Sequence, residues 1–162
     1  MQLLVHYACN GHSDVGGSVI FVILLMGCSP APPCDEALDT LLRDLAGPDS
    51  THCGTVDNGD DPRPVDECVV DAFQNEDPFR AEYKWFDIDA GGTYAWASDG
   101  ATLWRVDYVL DVGEGGSRVA FAKCVEPAVY DRKQSVSGEI VVRYELSCAD
   151  LGASESVVCN DE

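Results

Sequence analysis

Phe79-Arg80-Ala81-Glu82-Tyr83-Lys84-Trp85 is the stretch where the chain changes its period. Phe79, Ala81, Tyr83 and Trp85 fall on one side, and Arg80, Glu82 and Lys84 on the other. That alternation is the mark of a strand with one buried face. Upstream of it the apolar spacing is helical; downstream it stays at two. The domain therefore reads as helices first and sheet second.

Downstream, Asp87-Ile88-Asp89-Ala90-Gly91-Gly92 reads as a turn, and Thr93–Ala97 as a second strand with Tyr94 and Trp96 on one face. Asp99-Gly100 is a two-residue hairpin signal. Trp104, Val106, Tyr108 and Leu110 alternate with Arg105 and Asp107 in a third strand, which Gly113-Glu114-Gly115-Gly116 ends. Val119–Val125 gives a fourth strand. Pro127–Gly138 reads as a polar loop carrying Tyr130-Asp131-Arg132-Lys133, and Ile140–Cys148 as a fifth strand. Residues 151–162 read as a loose tail.

Upstream, Leu38, Leu41, Leu42 and Leu45 predict a helix over Asp35–Ala46, with Asp35 and Glu36 in its first turn and Gly47-Pro48 as its stop. Pro48–Pro64 reads as an acidic loop. Val65, Cys68, Val69, Ala72 and Phe73 predict a second helix over Pro64–Asn75, with Pro64 suited to its start. The expected fold class is α+β: two N-terminal helices packed on an antiparallel meander of about five strands.

The chain carries 29 Asp and Glu against 10 Lys and Arg. Such a balance repels phosphate backbones and anionic headgroups, which argues against nucleic-acid binding. It suits a solvated surface, a cation or a basic partner.

Val19–Met26 is an unbroken apolar run, too short for the ~20 residues of a membrane span and right for the core of an export leader. It ends in Leu25-Met26-Gly27-Cys28, which resembles the lipobox of bacterial prolipoproteins. That resemblance implies cleavage between Gly27 and Cys28, lipidation (a diacylglyceryl group) of Cys28, and a membrane anchor through that lipid. Ser29-Pro30-Ala31-Pro32-Pro33 suits an extended tether. The organisation expected is a signal peptide over 1–27, the lipidated cysteine and tether over 28–33, one domain over 34–150 and a tail over 151–162. Residues Met1–Gly17 carry Asp14 and no Lys or Arg, so translation is expected to start downstream of Met1. Ser29 follows the anchor where inner-membrane retention would have an acidic residue, so the resemblance favours the outer membrane.

Beyond the leader and Cys28, six cysteines remain: Cys34, Cys53, Cys68, Cys124, Cys148 and Cys159. An even set in a short exported chain predicts disulfides, and no spacing among them fits a zinc site. Cys53 and Cys68 flank the acidic loop and are the expected pair. If strands four and five form a simple hairpin, Cys124 and Cys148 lie roughly 27 Å apart, beyond bridging distance. Either they have other partners or those strands are not neighbours; the first is favoured, with Cys148 pairing with Cys159.

The order from Val65 to Asp111 (a cysteine-bearing helix, an Asn-x-x-Pro-Phe turn, a strand, an Asp-Gly hairpin, a Trp-bearing strand) looks like small uncharacterised lipoproteins frequent in myxobacteria. In outline it is also similar to outer-membrane assembly lipoproteins and to cystatin-like or β-lactamase-inhibitor-like modules. These resemblances bring no activity.

Candidate chemistry is sparse. His52 is the sole histidine after the leader and would have to serve any triad; it reads as an exposed loop residue. Asp57, Asp60 and Asp61, and separately Asp87 and Asp89, offer calcium-type oxygens but complete no calcium loop. They read as turn residues. Tyr94 and Trp96 would be rigid anchors for a protein or glycan if they face solvent. No metal or cofactor is expected. The reading is a lipid-anchored binding module of the cell envelope, not an enzyme. The alternatives are a calcium-dependent adhesion or sensing module and a small hydrolase using acidic residues.

Overall fold

The computed structural model describes residues 31–86, 91–109, 117–136 and 139–159. The lipobox, Gly27, Cys28 and the leader lie outside these residues, as do Asp87, Asp89 and the Gly113–Gly116 run.

Helix α1 runs Cys34–Ala46 and buries Cys34, Ala37, Leu38, Leu41 and Leu42, the stripe its spacing predicts. Gly47 ends it at φ 86°, a conformation that suits glycine. Helix α2 runs Arg63–Gln74, with Pro64 inside its first turn. The loop expected between the helices holds a strand, β1 (Thr51–Val56). β1 pairs in parallel with β2 (Phe79–Phe86), so β1-α2-β2 is a crossover unit and the helices are not consecutive.

From β2 the chain makes the expected antiparallel meander through β3 (Gly91–Ser98), β4 (Leu103–Val109) and β5 (Arg118–Cys124). The Asp99-Gly100 signal marks a four-residue connection, 99–102, in place of a two-residue one. Asp99 Oδ1 accepts hydrogen bonds from the backbone N–H groups of Ala101 (2.9 Å) and Thr102 (2.7 Å) and holds the turn.

The segment read as a polar loop is strand β6 (Pro127–Val136), and it pairs with β7 (Glu139–Cys148) as a separate two-stranded sheet. The segment read as a tail contains β8 (Leu151–Val158), which joins the main sheet beside β5. The described chain therefore has eight strands where about five were expected. The main sheet has the order β1-β2-β3-β4-β5-β8.

The two helices lie on opposite faces of this sheet. Ala95, Ala97, Val106, Val119 and Phe121 meet α1. Phe79, Ala81, Tyr83, Trp96 and Leu103 meet α2, together with Val129 and Leu146 from the β6–β7 hairpin. Two thin cores result, one on each side of the sheet, and each must be held by few apolar contacts. Three disulfides compensate.

Cys53–Cys68 forms as expected and ties β1 to α2. Cys124 bonds Cys148, and Cys159 bonds Cys34, so the favoured Cys148–Cys159 pairing is overturned. The reason is the hairpin: β5 and β7 are not neighbours. β6 intervenes, and Cys148 returns opposite Pro127, with a Cα–Cα distance of 5.7 Å to Cys124. The bridge sits at the hairpin's neck, beside the bonds from Val125 N–H to Asp150 O (3.0 Å) and from Ala149 N–H to Glu126 O (3.1 Å).

Candidate functional site

The richest side-chain cluster lies on the sheet face shared by α2 and the hairpin. Alternation places Tyr83, Tyr94, Arg105 and Asp107 there. Tyr83 and Tyr94 are directly paired across β2 and β3, and their rings stack at 4.7 Å, nearly parallel. The Arg105 guanidinium lies 4.6 Å from the Tyr94 ring centre and 5.4 Å from that of Trp96. Its charge faces the electron-rich faces of both rings, while Asp107 binds it at 2.9 Å. Trp85 ends the column: its ring lies so close to Gly92 that an added Cβ there would come within 2.9 Å of Cζ2. Trp85 is 45 % exposed.

Beneath the stack is a buried clamp. Asp66, in the first turn of α2, is only 4 % exposed. Its Oδ1 accepts the Tyr83 hydroxyl at 3.0 Å, and its Oδ2 accepts Arg143 Nε at 3.1 Å and Nη2 at 2.6 Å. A buried carboxylate is tolerable only when paired and hydrogen-bonded, and this one is both. Burial, and then the neighbouring Asp66, push the Tyr83 phenol far above the ordinary tyrosine range. Burial, and then Glu145, raise Tyr94 as well. Both hydroxyls therefore stay neutral and act as hydrogen-bonding and stacking groups. Arg143 fixes β7 to α2, so the clamp locks the hairpin onto the body.

The hairpin exposes apolar side chains on both of its faces, Tyr130 on one and Val142 and Tyr144 on the other. Tyr130 is 50 % and Tyr144 55 % exposed, with Val142 also exposed. Arg132 pairs with Glu145 at 3.5 Å.

A second, weaker cluster lies on the α1 face near β1. Arg80 donates to Ser50 Oγ at 2.9 Å, and His52 stands in register with Arg80. Glu82, in register with Thr55, is pushed up by burial, against the lowering effect of His52. An open cleft of about 520 Å³ lies between Arg43, Asp44, Gly47, Pro48 and Arg80.

The residues singled out from sequence are dispersed. His52 is exposed, as expected, but on a strand and not in a loop. Trp96 is core, and Tyr94 is half-buried in the stack, so on this sheet face the exposed aromatic among the described residues is Trp85. Asp57 and Asp60 shape one turn: Asp60 N–H donates to Asp57 O, and Asp57 N–H to Asp60 Oδ2. Asp61 is bound to Arg63 at 2.6 Å, which holds its carboxyl below the usual range. Among the described residues no three metal-ligating side chains converge. The Asp66 clamp was missed, although a signal existed. Asp66 lies three and four residues before Val69 and Val70, a spacing that puts it on the buried side of α2.

Comparison with family models, with curated proteins and with solved structures finds no match to this chain.

Proposed function

We propose that this chain is a lipid-anchored protein of a bacterial cell envelope that works as a binding module, with Cys28 as the lipidated residue. Cleavage between Gly27 and Cys28 would leave a short proline-rich tether before the domain, on the outer membrane in preference to the inner.

The observation that carries the reading is the cysteine pairing. All six cysteines that follow Cys28 are joined in three disulfides, the state that an oxidising compartment maintains. It agrees with the export leader and lipobox read from the sequence. Binding is favoured by the surface: Trp85 at the end of a rigid aromatic column, and Tyr130, Val142 and Tyr144 on a clamped hairpin. Exposed aromatics on a rigid support are typical anchors for a partner protein or glycan. Among the described residues the most buried carboxylate, Asp66, is committed to Tyr83 and Arg143.

Intact mass of the protein extracted from native membranes, before and after reduction and alkylation, tests this. The expected mass is that of Cys28–Glu162 plus acyl chains, with six thiols appearing only on reduction. An unlipidated full-length chain with free thiols would overturn it.

A further inference from the structure

β8 is the outermost strand of the main sheet, eight residues long. It contains one charge, Glu155, and no proline or lysine. Every residue but Gly152 is exposed. Along its outer rim, alternate residues aim N–H and C=O away from β5. Among the described residues, no backbone group pairs with that rim.

The rim is also held at both ends, and after a register shift between Leu151 and Ser154 it pairs regularly with β5 as far as Val158. Cys148, just before β8, is bonded to Cys124, and Cys159, directly after Val158, is bonded to Cys34. An edge fixed in this way loses little freedom when another strand adds to it. Gly152, Ala153, Ser154 and Ser156 leave the backbone accessible from both faces.

We propose that β8 docks an extended, basic segment of another protein, which joins the main sheet as an additional strand. Such addition draws its affinity from main-chain hydrogen bonds, which this rim offers, and its selectivity from side chains on alternate positions. Charge selects the occupant. The chain carries a formal charge of −19, and among the described residues from Ala149 to Cys159 the charged ones are Asp150 and Glu155, with no Lys or Arg. On the neighbouring strand, Arg118 and Lys123 of β5 lie two strand spacings (about 10 Å) from an added strand. Glu155 is on β8 itself. A second copy would bring like-charged edges together, whereas a lysine- or arginine-bearing strand is attracted. The inference rests on the binding reading above and narrows it to one edge and one partner chemistry.

The test titrates the full chain in detergent with labelled peptides matching the eight residues of β8. One alternates Val and Lys, one alternates Val and Glu, and one is the Val–Lys peptide with a central Val replaced by Pro. The Val–Lys peptide is expected to bind at least about tenfold more tightly than either of the others, since proline keeps the charge but breaks the ladder. Its binding should slow exchange at the outward-facing amides within Ala153–Val157, those not already paired with β5. Glu155→Lys should weaken it by about fivefold with the melting temperature unchanged, Glu155 being exposed. Equal binding of the proline peptide would overturn the proposal, as would protection elsewhere. So would outward-facing β8 amides, those not paired with β5, that are already protected without peptide. Protection that rises with protein concentration would assign the edge to a second copy; concentration-independent protection would assign it to this chain's own segment. None of these failures alters the intact mass, which tests the anchored module separately.

Discussion

β1 and β8 close the two edges of one sheet, and they are built on different plans. β1 has six residues, and its register slips between His52 and Gly54. Gly54 sits at φ 121°, a conformation that almost only glycine adopts. Cys53, inside the slip, is tied to Cys68 on the helix beneath. β8 has eight residues, slips in register only between Leu151 and Ser154, pairs regularly from Ser154 to Val158, and is fixed through cysteines outside it. Both edges carry a register slip, but that of β1 lies within its short length over a tethered cysteine, whereas that of β8 lies near its start and leaves Ser154–Val158 regular and open to another strand. The same disulfide chemistry thus closes one edge and presents the other.

The largest expected effect comes from unclamping β8. Cys34→Ser with Cys159→Ser opens a loop of 125 residues, and the loss from chain entropy is about 5 kcal/mol. Urea denaturation measures it, and exchange should rise first along β8. Removing the tether of β1 with Cys53→Ser and Cys68→Ser opens a separation of 15 residues, for a loss of about 3 kcal/mol. Exchange there should rise along β1 and α2 and leave β8 unchanged. If both pairs raised exchange over the same strands, the two edges would not be independent.

Gly54→Ala sharpens the contrast. The new Cβ would meet Val65 Cγ2 at 3.2 Å in a backbone conformation that disfavours it. A loss of about 1–2 kcal/mol is expected by thermal melting. Glu82→Gln should have the smallest effect and the opposite sign. Burial holds the Glu82 carboxyl above its ordinary range, with His52, Lys84 and Arg80 pulling it down and Asp39 up. The fold therefore favours the protonated form, and that contribution is lost as pH rises through the raised value. The neutral glutamine should raise the melting temperature by roughly a degree or two near pH 7. The gain should vanish below about pH 4, where the glutamate is protonated in both states.

The same contrast explains what the sequence could tell. α1, α2 and β2–β5 each bury one side, so their periods are written in apolar residues such as Leu38, Leu41 and Leu42 or Phe79, Ala81 and Tyr83. Among the residues whose side chains are described, β1, β6 and β8 bury almost nothing along one face. Tyr130-Asp131-Arg132-Lys133 is exposed throughout, and Ser154-Glu155-Ser156 likewise. These strands are specified by backbone pairing and by cysteines, neither of which leaves a hydrophobic period. Missing β6 in turn produced the wrong partner for Cys148. The site divided in the same way. The tyrosines and tryptophans were legible as a sheet face, but Arg143 meets Asp66 across 77 positions, and no local pattern announces such a pair.

The bridge at the neck of the β6–β7 hairpin has a consequence for how the protein responds to a protease. Any single cut between Cys124 and Cys148 leaves both new ends covalently attached through the disulfide. A nicked molecule would keep its mass on a non-reducing gel but for one added water. It would separate into two fragments only once reductant is present. The hairpin is thus a side branch that can be severed without detaching β8 from the rest of the chain.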